Sequence, residues 1–218
     1  MLNSTERILL SPLKGHVIRE IDLANLFTGT PAKRYGLVNK AIKRKELLPL
    51  RRGLYTLAPQ YQPELFSSYY LANQIVPYSF VTAESALQFH QWIPERISST
   101  TSMTAFGRNK TFNTSFGQFM YCKNPLNLYD ALLGVMRIEI NSFPVLIATP
   151  LRALADYIYW HKIKTADSGF LKTGLRIEKE LLRQFTRVEI EALISAYKAK
   201  CVRLFLKKLL AEIDVKND

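Results

Sequence analysis

Lys33, Lys40, Lys43 and Arg44 recur along one stretch of the chain. At about 100° per residue, that spacing gathers all four on one side of a helix. Arg51 and Arg52 follow, beside Gly53, a residue that permits close approach of the backbone. Lysine and arginine in this pattern neutralise phosphates, and the arginine fork also matches phosphate and base edges. The chemistry predicted is polyanion binding, with nucleic acid first and an anionic membrane surface second. The competing reading of such a run is an ordinary solvated face.

The wider composition bears on that choice. The 218-residue chain has a formal charge of +12 and a pI near 9.7. Residues 1–60 hold 11 Lys/Arg against 4 Asp/Glu, residues 61–170 hold 8 against 7, and residues 171–218 hold 11 against 7. The polyanion signal is therefore strongest at the N-terminal end. A hydrophobic content of 48% supplies a core and argues against global disorder. No apolar run approaches the roughly 18–20 residues of a membrane span. The apolar "ILL" near the start is too short for the centre of a secretion signal. Cys122 and Cys201 are far apart and expected to be unpaired, which fits a cytoplasmic location.

The cations need a scaffold. Thr5 to Leu10 reads as a short helix capped by Ser4 or Thr5, ended by Pro12 and Gly15. Val17 and Ile18 read as extended, and Ile21 or Asp22 to Phe27 as a second helix. Thr30 is the expected cap, and Pro31 the first residue, of a third helix running to about Lys45. Tyr35, Val38, Ala41 and Ile42 form its predicted buried stripe. Leu37 falls beside the basic face, as a stray exposed leucine or an apolar contact to a thymine methyl or a partner. Leu47 to Leu57 then reads as a hairpin with Arg51 and Arg52 near its tip. Two helices in helix-turn-helix spacing followed by a hairpin predict an N-terminal winged helix-turn-helix over residues 1–60.

Pro59 and Pro63 flank a polar joint. Beyond it, residues 64–75 and a stretch from about Thr82 read as helices, the latter burying Ala83, Ala86, Leu87 and His90. The period then falls to two, predicting strands at 97–105, 110–114, 118–122, 132–140 and 145–148, with hairpin turns at Gly107-Arg108-Asn109 and Ser115-Phe116-Gly117. Thr149 and Pro150 open another helix, burying Leu151, Leu154, Ala155 and Ile158. Gly169 and Gly174 mark a loose polar span, followed by basic helices at about 176–184, 187–197 and 201–213. The expected fold class is α+β: the winged helix, then a mixed domain over 61–170 with a small antiparallel sheet, then C-terminal helices over 171–218 packed on it.

Catalytic patterns are sparse. Glu84, Asp130 and Asp156 make no paired acidic motif, and His90, six residues from Glu84, lies on another helical face. His90 reads as a core or interface histidine, and His161 as a charge partner for a helix C-terminus. The cysteines lack metal or redox spacing, and no phosphate-binding glycine motif or serine-nucleophile motif occurs. Tyr157 to Trp160 suits core packing, with stacking on single-stranded bases as the alternative. An enzyme is not expected, nor is a cofactor or metal.

Three stretches together resemble a known family, the transcriptional-regulator antitoxins of abortive-infection type IV toxin–antitoxin systems. They are "ELLPLRRGLYTLA", "VTAESALQFHQWIPE" and "IATPLRALADYIYW". The second is similar to a Ser/Thr-x-x-Ser-Ala-Leu-x-x-His pattern and the third to a Thr/Ser-Pro-x-x-Ala-Leu-x-Asp helix. Ser85, Ala86, Leu87, His90, Pro150, Ala153, Leu154 and Asp156 carry these matches in structural roles. The resemblance implies a repressor that binds inverted repeats in its own promoter, a target that a homodimer would fit. It also implies opposition to a nucleotidyltransferase-like toxin. It places DNA contacts on Lys33, Lys40, Lys43, Arg44, Arg51 and Arg52. Pro49 and the long basic tail after residue 170 depart from the family pattern. The alternative function is a protein-interaction module that neutralises or scaffolds a partner without specific DNA binding. A third is an RNA-binding or nuclease-like enzyme.

Overall fold

In the computed structural model, which describes residues 3–164 and 167–214, Asn3 rather than Ser4 or Thr5 opens the first helix. Its side-chain oxygen accepts from the Glu6 N–H (2.9 Å) while the Glu6 carboxylate accepts from the Asn3 N–H (2.8 Å). This reciprocal cap starts α1 (Ser4–Leu9). Arg7 on α1 donates to the Leu26 carbonyl (2.7 Å) and covers the Phe27 ring, closing the end of α2 (Glu20–Leu26). Helix α3 (Pro31–Lys43) begins as its sequence predicts, with Thr30 Oγ1 accepting from the Lys33 N–H. It ends earlier, because Lys45 adopts φ +57°. There the Glu46 N–H reaches the Ala41 carbonyl and the Lys45 N–H the Ile42 carbonyl, a left-handed stop of the Schellman kind.

β1 (Ile18–Arg19), β2 (Leu47–Arg51) and β3 (Leu54–Leu57) form an antiparallel sheet in the order β1-β3-β2. Gly53 turns the hairpin at φ +72°, and its carbonyl accepts from the Glu20 N–H (2.9 Å), pinning the turn to the start of α2. Ile8, Ile18, Leu23, Phe27, Val38, Ala41, Leu47 and Leu57 pack into one core between the helices and this sheet.

The remaining strands form a six-stranded sheet in the order β6-β7-β5-β4-β9-β8. They are β4 (Ser79–Val81), β5 (Ser99–Thr104), β6 (Lys110–Thr114), β7 (Gly117–Lys123), β8 (Val135–Ile140) and β9 (Phe143–Ala148). The pairs β5/β7 and β4/β9 are parallel, so the sheet is mixed where a small antiparallel one was expected. The hairpins β6–β7 and β8–β9 were readable from alternation, but the turn at Gly107-Arg108-Asn109 makes no hairpin, because β7 lies between β5 and β6. Two strands, β5 and β4, lie between the two hairpins, and β4 is buried on both faces and so shows no alternation. Helix α4 (Ser68–Ile75) starts four residues later than predicted, capped by Ser67, and packs on β4 and β9. Helices α5 (Ala83–Phe89) and α6 (Pro150–Trp160) lie against each other. The glycine-marked span contains α7 (Ser168–Gly174), followed by α8 (Lys179–Leu182), α9 (Arg187–Ala196) and α10 (Lys200–Asp214). Leu182, Ile190, Leu193, Val202 and Phe205 join the core under the large sheet.

Candidate nucleic-acid interface

The solvent side of α3 is set by which residues the first core takes. Val38 and Ala41 are buried, and Leu37, half-buried, packs against that core instead of standing free beside the cations. The buried arc is thus rotated from the predicted stripe toward Leu37. Tyr35, expected inside, is 68% exposed. Lys33, Lys40, Lys43 and Arg44 all stay exposed. Lys40, Lys43 and Arg44 gather at the C-terminal end of the helix, with Lys33 about two turns away on the same side. Such cations also suit the negative end of the helix dipole.

The two hairpin arginines part company. Arg52 is exposed beside Gly53 at the hairpin tip. Arg51 is half-buried, and its Nε donates to the Ile75 carbonyl at the end of α4 (2.7 Å) while Nη1 donates to the Arg52 carbonyl (3.2 Å). It works as a tie between the hairpin and the second sheet's helices rather than as an open phosphate contact. Among the described residues, Lys33, Lys40, Lys43, Arg44 and Arg52 have no ion-pair or side-chain hydrogen-bond partner within the protein. The other arginines of the N-terminal region are engaged, Arg19 forking onto Asp22 (2.9 and 3.0 Å) and Arg34 donating to the Gly29 carbonyl (2.7 Å), whereas Lys14 and Lys45 are exposed like the α3 cations.

The second segment of chemistry lies deep in the large core. Arg152 and Asp156 on α6 are fully buried and paired (3.0 Å). Asp156 also accepts from the Thr82 hydroxyl (2.7 Å) and from the Tyr197 hydroxyl. Arg152 completes its donors on the Leu133 carbonyl (2.8 Å) and Asn124 (3.0 Å), and lies over the Phe80 ring. Burial works against the Arg152 charge, but Asp156 and Tyr197 outweigh it and hold the pKa above the ordinary value. Burial, then Asp156, push the Tyr197 hydroxyl well upward. All partners are internal and nothing here is open to a substrate, so the network staples β4, α6 and α9 together. Arg152 itself escaped the sequence reading, because an arginine in a basic chain carries no mark of burial.

The motif residues of α5 and α6 meet in the same layer. Ala86, Leu87, Ala153 and Leu154 are fully buried. Ser85 accepts from the Thr101 N–H (2.9 Å), and His90 Nε2 bonds the Ala148 carbonyl (2.8 Å). Burial holds the His90 pKa below its ordinary value, against the pull of that carbonyl. His161, at the end of α6, pairs with Glu84. Burial raises the Cys122 thiol, which keeps it protonated, and both cysteines are free. Among the described residues, no three His, Cys, Asp or Glu side chains come together in a way that could hold a metal, and no helix is long and apolar enough to cross a membrane. No protein-family model matches this sequence, and no curated protein matches it.

Proposed function

We propose that residues 3–57 form a winged helix that binds double-stranded DNA, and that the chain is a transcriptional repressor acting on its own promoter. The observation that carries this reading is the set of unpartnered, exposed cations on α3 and at the hairpin tip, on a unit of three helices and a three-stranded antiparallel sheet. A protein that used these side chains for its own stability would pair them, as it does with Arg7, Arg19 and Arg51. In this reading α3 lies in the major groove, with Lys33, Lys40, Lys43 and Arg44 along its phosphates. Arg52 reaches the backbone or minor groove beside it. Two copies meet an inverted repeat.

The test is a gel shift with duplex from upstream of the gene, competed by unrelated DNA. The double variant Lys40→Glu/Arg44→Glu should abolish the shift and keep the far-UV dichroism of the parent. An unchanged shift in that variant would overturn the assignment of α3.

Partner binding has its own support. Tyr129 is 99% exposed, with Leu128 at 65% and Leu132 at 57% in the same loop, an apolar surface that suits a protein contact. This loop would meet the nucleotidyltransferase-like toxin that the family resemblance implies. Co-purification of a stoichiometric partner from the native host, lost on Tyr129→Asp/Leu132→Asp, tests it; a partner retained by that variant would place the contact elsewhere.

A further inference from the structure

Helix α3 contains a glycine that the protein itself does not need. Gly36 lies in the middle of the helix, has an ordinary helical φ, and a Cβ built on it would meet nothing within 4 Å. Neither backbone conformation nor packing calls for glycine there, and the residue lowers helix propensity relative to almost any other. A glycine with room on every side makes sense if something from outside must come close to the backbone at that point.

Its neighbours fit such a visitor. Residues four apart form rows along a helix. On the exposed side one row is Ala32, Gly36 and Lys40, and the adjacent row is Tyr35, Asn39 and Lys43. The first three turns therefore present a thin ridge, Ala32 and Gly36, edged on one side by the hydrogen-bonding side chains Tyr35 and Asn39 and on the other by Lys33. Lys40, Lys43 and Arg44 cluster at the C-terminal end, and Lys33 stands alone in the first turn. Asn39 is half-buried, and its amide has no hydrogen-bond partner among the described residues. Tyr35 is the large aromatic side chain on the exposed face.

We propose that Tyr35 and Asn39 are the base-reading residues of α3, and that Ala32 and Gly36 form the ridge on which the helix enters a major groove. The inference rests on the DNA-binding reading above and adds how sequence is read. A side-chain amide can pair both with N6 and with N7 of adenine, a pattern only the major groove presents in full. Tyr35, at the edge of the same face, supplies a hydroxyl to a base edge and a ring to a thymine methyl. The helix would enter the groove by the stretch from Ala32 to Asn39, with Lys40, Lys43 and Arg44 at its C-terminal end on the phosphates.

The experiment is selection of duplexes from a random library by the full chain, followed by affinity measurements on the selected sequence. Gly36→Gln should melt at a higher temperature than the parent, because glutamine is the better helix former. It should nevertheless bind the selected duplex at least tenfold more weakly, with an unchanged salt slope. Asn39→Ala should lose preference at one adenine position by roughly 5- to 100-fold while other positions keep theirs. If the parent selects a motif that Lys40→Glu/Arg44→Glu cannot bind, but Gly36→Gln and Asn39→Ala bind it as the parent does, this inference falls and the DNA-binding reading stands. If the parent selects no motif, both fall.

Discussion

Arg51 and Arg52 are adjacent in sequence and identical in chemistry, yet the structure gives them opposite consequences when each is changed to glutamine. Each phosphate contact releases counterions and steepens the dependence of log K on log salt by about 0.9. Lys33, Lys40, Lys43, Arg44 and Arg52 are exposed and unpaired, and in the DNA-binding reading proposed above their five contacts give a slope of about −4.5 per copy. Between 50 and 200 mM salt, affinity should then fall about 500-fold. Arg52→Gln removes one contact, lowering the slope to about −3.6 and the fall to about 150-fold. Arg51→Gln should leave the slope where it was, because that guanidinium is spent on the Ile75 carbonyl. Its cost appears in stability instead, about 1–3 kcal/mol for a part-buried carbonyl that loses its charged donor. Fluorescence anisotropy of a labelled promoter duplex at four salt concentrations, with urea melts of both variants, reads both quantities. A slope reduced equally by the two substitutions would refute the division of labour. So would an Arg51→Gln variant as stable as the parent.

Three more outcomes follow from the same coordinates. Arg152→Met should cost about 3–5 kcal/mol in urea unfolding, since it strands Asp156 in the core, whereas Arg152→Met/Asp156→Leu should recover much of that loss. Lys45→Gly should stabilise the chain by about 1 kcal/mol, because Lys45 sits in a left-handed conformation that costs a side chain and not a glycine. His90 has a lowered pKa when folded, so the unfolded chain takes up its proton first; stability should fall as pH drops below about 6.5 and level off once the folded imidazole is also charged. His90→Gln, which keeps a donor for Ala148, should flatten that limb in melts at pH 7 and pH 5.

Local chemistry made much of this legible. Thr30-Pro31 and Thr149-Pro150 start helices where they were expected to, since both the cap and the missing proline N–H act within one turn. The hairpins β6–β7 and β8–β9 announced themselves by alternation around short turns. What failed depended on contacts distant in the chain. The stop of α3 uses a lysine where glycine is usual, so no residue type marked it. Tyr35 and Leu37 exchanged places because periodicity fixes which residues share a face, and only the packing of α1, α2 and the sheet decides how far that face is turned. The same limit hid Arg51: its partner is a backbone carbonyl 24 residues away, at the end of a helix that bears no charge. The burial of Arg152 likewise required partners on β4, α9 and two loops.

The hairpin that carries Arg52 has two apolar faces. Leu47 and Leu57 pack into the helical core of the N-terminal unit, whereas Leu50 and Leu54 belong to the core of the large sheet. With Arg51 tied to α4 and β2 lying against β6, the hairpin is built into both cores at once. The proposed interface of α3 and this hairpin therefore cannot be repositioned without disturbing packing that extends to α4 and β6. The expected division near residue 60 separates stretches of chain, but mechanically the hairpin joins what lies on either side. In the DNA-binding reading proposed above, a partner that shifted α4 or β6 would pull on Arg51, and Arg52 is the next residue along the chain.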